Sequence, residues 1–222
     1  DAERCFRRAV EILPGDANIW RMLANAYRVQ NQTGRWLATL EEYLTKPDYT
    51  LNHYSVQSEV ADHYMLQKEW HKALPYAEGA AECYSGWGLL SAARCHEGLQ
   101  QWEQAEKYHR ACSERYENSS LEWYLFCRRT GQGDADAARS LAQAYFDKGN
   151  PPGSNVWCEA ACTYYVLENE PKKALAALER GFKDPPVPYY VVWTAVMADL
   201  AKSSAKRDAA LALAASLDEQ TQ

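Results

Sequence analysis

Long apolar runs are missing from this sequence. Nothing in its 222 residues approaches the roughly 20 consecutive apolar residues that a bilayer-crossing helix needs, so no membrane partner is expected. A basic excess is missing too. With 24 Lys and Arg against 30 Asp and Glu, the net charge is −6 and the pI about 5.5. Nucleic acid, which demands a cationic surface for its phosphates, is not an expected partner. The seven cysteines include no C-x-x-C pair and no Cys/His array at zinc spacing. Cys158 and Cys162 stand one helical turn apart and could share a metal, but both fall on an inward stripe where Cys serves as a small core residue. No metal site and no other cofactor is expected, and reduced, buried thiols fit a cytoplasmic setting. Catalytic signatures are absent as well: there is no H-E-x-x-H and no G-x-S-x-G. Gly131-Gln132-Gly133 has no strand before it and no Lys after it, so it reads as a turn and not a phosphate loop. The five His are scattered. An enzyme is not expected.

What is present is rings and a rhythm. Hydrophobic residues make up 47% and charged residues 24%, with 8 Trp and 15 Tyr, a balance that suits a folded chain and argues against disorder. A triplet of small or apolar residues spaced four and three apart opens the chain as Ala2-Phe6-Ala9. It recurs as Trp36-Leu40-Tyr43, Ala73-Ala77-Ala80, Ala105-His109-Cys112, Ala138-Ala142-Tyr145, Ala174-Leu178-Gly181 and Ala209-Leu213-Ser216. The steps between first members are 34, 37, 32, 33, 36 and 35 residues, a period that marks a helical solenoid. Spacing of four and three puts each triplet on one helix face, where small side chains admit a neighbouring helix.

Nine residues before each later triplet stand Tyr27, Tyr64, His96, Arg129, Tyr165 and Leu200. About sixteen before stand Trp20, Leu89, Trp123, Trp157 and Trp193, while the second unit has Gln57 there. Each unit is therefore read as a ring-bearing first helix, a short turn and a second helix. The turns are Asn31-Gln32-Thr33-Gly34, Thr130 to Asp134, and Glu168-Asn169-Glu170-Pro171. Pro14, Pro47 and Pro185-Pro186 punctuate the far ends of units, and Pro75 is placed near the first turn of its helix. The 37-residue step predicts an extended turn through Lys46-Pro47-Asp48-Tyr49-Thr50, and the 32-residue step a shortened junction around Ser85-Gly86.

In the stretch from Trp20 to Pro47, the residues Trp20, Leu23, Ala24, Tyr27, Trp36, Leu40, Tyr43 and Pro47 resemble the tetratricopeptide-repeat pattern. Ala2, Phe6, Ala9 and Pro14 match its second half. The resemblance covers essentially the whole chain and implies an all-α, right-handed superhelical solenoid of antiparallel helix hairpins. The units are read as a half repeat at 1–15, then 16–50, 51–85, 86–118, 119–152, 153–186 and 187–222. Because the chain opens on a second helix, it is read as a segment of a longer solenoid. The uncharged run Ala209–Ala215 lacks the polar outer face of a capping helix, which suggests end-to-end contacts between copies.

The resemblance implies a protein-interaction scaffold whose first helices line a concave groove for a peptide or protein segment. Projected on this sequence, the groove residues are Arg21, Asn25 and Arg28, then Ser58 and Asp62, Trp87 and Arg94, Arg128, and Glu159 and Thr163. Arg21 and Asn25 stand where a known chaperone-tail carboxylate clamp of this family begins. Glu59, Trp87 and Ser91 then replace its remaining residues, and Glu59 would repel a carboxylate ligand. The clamp is rejected. Two alternatives stay open: a spacer or oligomerisation solenoid without a groove ligand, and a helical repeat of the RNA-processing type. The acidic balance weighs against the second, while the Trp-rich first helices keep it in view.

Overall fold

The computed structural model describes residues 2–46, 50–149, 155–180 and 188–219, and among them there are thirteen α-helices and no strand. In order they are α1 (Ala2–Ile12), α2 (Ala17–Val29), α3 (Thr33–Leu44), α4 (Leu51–Leu66), α5 (Trp70–Ala81), α6 (Gly86–Gly98), α7 (Trp102–Arg115), α8 (Ser120–Thr130), α9 (Ala135–Lys148), α10 (Asn155–Leu167), α11 (Pro171–Arg180), α12 (Pro188–Leu200) and α13 (Ser204–Glu219). A 3-10 turn at Glu117–Ser119 leads into α8. The chain divides into two compact units, residues 1–135 and 136–222. Within each, the fold is an all-α helical repeat solenoid in which helices adjacent in sequence pack together as short-looped hairpins. None of the helices among the described residues is long and apolar enough to cross a membrane.

One turn geometry makes the hairpins. After the ring position of each first helix, the fourth residue on takes a left-handed backbone: Asn31, Lys68, Gln100, Asn169 and Lys202, with φ between 57° and 60°. The next N–H then donates back to the ring residue's carbonyl. This closes Gln32 to Tyr27 at 3.0 Å, Glu69 to Tyr64 at 2.9 Å, Gln101 to His96 at 2.9 Å, Glu170 to Tyr165 at 2.8 Å and Ser203 to Ala198 at 2.8 Å. Such a closure satisfies a carbonyl that the helix end leaves orphaned. The end of α8 does not make this closure: Gly131, with φ 67°, donates instead to the Cys127 carbonyl at 2.9 Å. The expected turn over Asn31–Gly34 is thus shorter than read, because Thr33 and Gly34 already belong to α3. Pro171 does open its helix, α11, but Pro75 is the sixth residue of α5 and lies beyond the first turn. There it removes one ladder hydrogen bond.

The junction around Ser85-Gly86 is short, as expected, with Ser85 capping α6 by accepting from the Gly88 N–H at 3.2 Å. The extended turn expected at Lys46–Thr50 rests on residues 47–49, which lie outside the described residues, as do Pro47, Gly181, Pro185 and Pro186.

The hairpins meet along alanines. Ala73, Ala77, Ala80, Ala105, Ala138, Ala142 and Ala174 are all fully buried on second helices, where a methyl group lets two helix axes approach. Polar links add to this seam. Glu41 of α3 accepts from the Tyr64 hydroxyl at 2.7 Å and the Tyr76 hydroxyl at 3.0 Å. Burial, then the bond to Glu41, pushes the Tyr76 hydroxyl up to about 12. Glu97 of α6 accepts from His109 Nε2 at 2.7 Å and pairs with Arg129. Burial pushes the Glu97 carboxyl up, but the bonds and charges of His109 and Arg129 together outweigh it and hold it below the ordinary carboxylate range.

The last hairpin departs from the expected register. Trp193 is only partly buried, Leu200 is exposed, and Ala209 and Leu213 of α13 face outward. The buried set of α10 (Trp157, Cys158, Ala161, Cys162, Tyr164, Tyr165) recurs 33 residues on as Tyr190, Val191, Thr194, Ala195, Met197 and Ala198. Tyr190 and Ala198 therefore take the places assigned to Trp193 and Leu200. The α13 contact face becomes Ala210, Ala214 and Leu217. The same four-and-three spacing offset by one residue satisfies the sequence pattern, so pattern alone could not choose between them.

Two predictions follow from the packing. A Cβ on Gly88 would sit 2.3 Å from the Ala80 carbonyl oxygen, whereas one on Gly34 meets nothing within 4 Å. Gly88→Ala should cost about 1–3 kcal/mol in urea unfolding, while Gly34→Ala, inside α3, should stabilise by about 0.5 kcal/mol. Glu97→Gln should cost about 2 kcal/mol at pH 7 by removing the carboxylate that accepts from buried His109 and pairs with Arg129. Because the folded Glu97 is held below its unfolded value of 4.5, its contribution is complete above that value and disappears as pH falls through the lower folded one. Parent and variant should converge in unfolding free energy once the pH has fallen below the range in which folded Glu97 titrates, where a persisting gap would contradict the assignment.

Candidate functional site

The inward face of α2 is fixed by Ala17, Trp20, Leu23, Ala24 and Tyr27, all buried. Asp16 caps its first turn by accepting from the Asn18 N–H at 2.8 Å. With that stripe packed, Arg21, Asn25 and Arg28 are left on the opposite side. On α4, the buried Val56, Val60 and Ala61 leave Ser55, Ser58, Glu59 and Asp62 facing the same way. Trp87, in the first turn of α6, projects from the Ser85 cap and is 42% exposed.

These faces enclose a groove of about 560 Å³ lined by Arg21, Arg28, Glu59, Asp62, Leu66 and Trp87, with Thr33, Trp36, Ser55, Ser58 and His63. Four of the seven expected site residues therefore come together: Arg21, Arg28, Asp62 and Trp87. Asn25 is exposed on the same helix without lining the groove. Arg94 is exposed on α6 and acts on Asp62 through its charge. Arg128 stands apart on α8, where Nη1 donates to the Tyr124 hydroxyl at 2.9 Å.

The groove balances its own charge. Arg21 Nη2 donates to Ser55 Oγ at 2.7 Å, across 34 residues, which is one repeat. Arg21 Nε lies 3.4 Å from Glu59 Oε2, close enough for an ion pair but not aligned for a hydrogen bond, so this buried N–H has no acceptor. Arg28 Nη1 sits 3.9 Å from Glu59 Oε1 and is largely open to solvent. Asp62 loses hydration against the groove wall, which raises its carboxyl pKa; Arg94 opposes that rise and Glu59 adds to it. Trp36 packs edge-on to His63 with ring centroids 5.0 Å apart, closing the floor.

Sequence reasoning read Glu59 only as a carboxylate that would repel a carboxylate ligand and did not count it as part of the site. Its spacing of four from Ser55 and three from Asp62 was the available signal. Trp36 and Leu66 were also missed: Trp36 occupies a core position of the repeat, and Leu66 is an exposed apolar residue with no pattern around it. Among the described residues no three His, Cys, Asp or Glu side chains gather to hold a metal.

No protein-family model and no curated protein matches the chain. Its fold does match solved structures. YrrB, a tetratricopeptide-repeat protein described as having an unusual peptide-binding site, is 21% identical over 81% of this chain and 92% of its own, with a TM-score of 0.50. A tetratricopeptide-repeat protein from Parabacteroides merdae is 15% identical over 97% and 85%, with a TM-score of 0.56. PilF of Pseudomonas aeruginosa is 14% identical over 79% of each chain, with a TM-score of 0.53. At these identities the likeness is one of fold, and the fold is that of tetratricopeptide-repeat proteins.

The Arg21–Glu59–Arg28 cluster is about a quarter exposed at Arg21 and Glu59 and more open at Arg28, so water screens it. Glu59→Gln should change the urea-unfolding free energy by less than about 1 kcal/mol. A loss much larger than that would mark the cluster as a folding element and not a surface.

Proposed function

We propose that this tetratricopeptide-repeat chain is a non-catalytic scaffold that binds a peptide or protein segment in the groove of its first unit. The observation that carries the reading is the convergence of residues from three first helices, α2, α4 and α6, on one open groove. Within it, a buried Arg21 N–H still lacks an acceptor. The peptide-binding site described for the similar protein YrrB supports the same class of function.

In this reading Arg21 and Arg28 hold an acidic or backbone-carbonyl group of the partner, and Asn25, exposed on α2 outside the groove, meets the partner only beyond it. An oxygen reaching Arg21 Nε would supply the aligned hydrogen-bond acceptor that Glu59, at 3.4 Å, does not. Arg28 can turn from its loose 3.9 Å contact with Glu59. Trp87 and Leu66, exposed at the groove edge, supply apolar anchors of the type that dominate interface energetics. Asp62 and Arg94 set the polarity of the far wall. Glu59 makes the groove selective: an acidic ligand must compete with it for both arginines.

With a bound segment in hand, Arg21→Ala combined with Arg28→Ala should weaken binding by about tenfold or more, as truncated buried charged contacts do. Thermal unfolding should stay nearly unchanged. Calorimetric titration of parent and double variant checks this; equal affinity would remove the groove from consideration.

A further inference from the structure

The second unit carries a surface of different chemistry. On α12, Tyr189, Val192, Val196 and Leu200 are each 50–52% exposed. Their spacing of three, four and four puts them in a single stripe about 16 Å long. Trp193, partly buried, packs beside Tyr189 with ring planes tilted by 45° and centroids 5.7 Å apart. The 33-residue register of the fold aligns Val156, Glu159 and Thr163 of α10 with Tyr189, Val192 and Val196 of α12. The two helices are joined at this level by the Tyr190 hydroxyl donating to Glu159. Val156 is 79% exposed and extends the apolar surface.

Charge on this face has one sign. Between them, α10 and α12 contain no Lys, Arg or His, and their only charged residues are Glu159 and Asp199. Asp199 pairs with Arg207 at 3.0 Å, and Arg207 is shared with Asp208. Among the described residues the side-chain partner of Glu159 is the Tyr190 phenol, which brings no positive charge. The first helices of the groove described above mix both signs; these do not.

We infer that α10 and α12 form a second docking surface, for an amphipathic helix of a protein partner that carries an apolar face and a Lys or Arg beside it. Val192, Val196 and Leu200 take the apolar face, at the i, i+4 and i+8 spacing that a helix presents. Glu159 takes the cation, one turn of ligand away from the Val192 contact. A helix with acidic flanks would set like charge against Glu159, at a cost that selects against it. This goes beyond the groove of the first unit and does not depend on it.

The test uses the 222-residue chain and two synthetic helical peptides, each about five turns long, with identical Leu faces and either Lys or Glu flanks. Fluorescence anisotropy should show the Lys-flanked peptide binding at least about tenfold more tightly than the Glu-flanked one. Val196→Asp should weaken the Lys-flanked peptide by about tenfold or more, with the helical circular dichroism retained. The direction is decisive, because nonspecific attraction to an acidic chain predicts tighter binding when a carboxylate is added. Glu159→Gln, which keeps an acceptor for Tyr190, should shrink the gap between the two peptides.

The double change Arg21→Ala and Arg28→Ala should leave this binding unchanged, so failure here and failure of the groove are separable. The inference is overturned if neither peptide binds at millimolar concentration, if the two bind equally, or if Val196→Asp binds as tightly as the parent. Sedimentation that shows a dimer abolished by Val196→Asp would overturn it in favour of a second copy on this face.

Discussion

A single backbone closure sets the geometry on which everything else rests. In five of the six hairpin turns, the carbonyl of the ring-position residue takes an N–H from five residues on, and a left-handed residue between them makes the reversal. The closure ends one helix and starts the next at a fixed offset, so the small residues of the second helix meet the first at the same level each time. Left-handed backbone at Lys68, Gln100 and Lys202 is unfavourable for a side chain with a Cβ. Orphaned carbonyls at a buried helix end would be worse. The turn is therefore held more by hydrogen bonding than by residue preference, and none of the five closures uses glycine.

From that geometry follows a division of labour between helix faces. Buried alanines and rings bind hairpin to hairpin, and carboxylates such as Glu41 and Glu97 gather hydroxyls and cations across the junctions. The remaining face of each first helix is not needed for packing. In the first unit that face is filled by arginines and carboxylates that largely cancel each other. In the second it is filled by valine, tyrosine and leucine. Equivalent positions of one repeat pattern thus present two chemistries, and a partner could engage either by different means.

Much of the fold was legible because the repeat imposes redundancy. The triplets that open at Trp36, Ala73 and Ala105 are buried throughout on second helices, and even Cys112 and His109 are buried where the pattern puts them. The final unit was misread by one residue because Ala209-Leu213-Ser216 and Ala210-Ala214-Leu217 obey the same spacing. What separates them is a turn closure, from Ser203 to Ala198, that has no side-chain signature. The candidate groove was half legible. Helix periodicity identified Arg21, Arg28, Asp62 and Trp87 as outward-facing, but it could not show that Glu59 already occupies the two arginines. Pairing across gaps of 38 and 31 residues depends on how closely two helices approach, and that distance is set by alanines elsewhere.

The alanine seam also has a bearing on how such a chain can change over evolutionary time. A junction closed by methyl groups has no spare volume, so a larger side chain there would spread two helices, and the displacement would pass to the next hairpin. Selection must hold those positions nearly constant. The exposed faces of the first helices carry no such constraint, and their residues can be exchanged one by one without altering the spacing. New binding partners can therefore be acquired by drift on one face of a stack whose interior stays frozen.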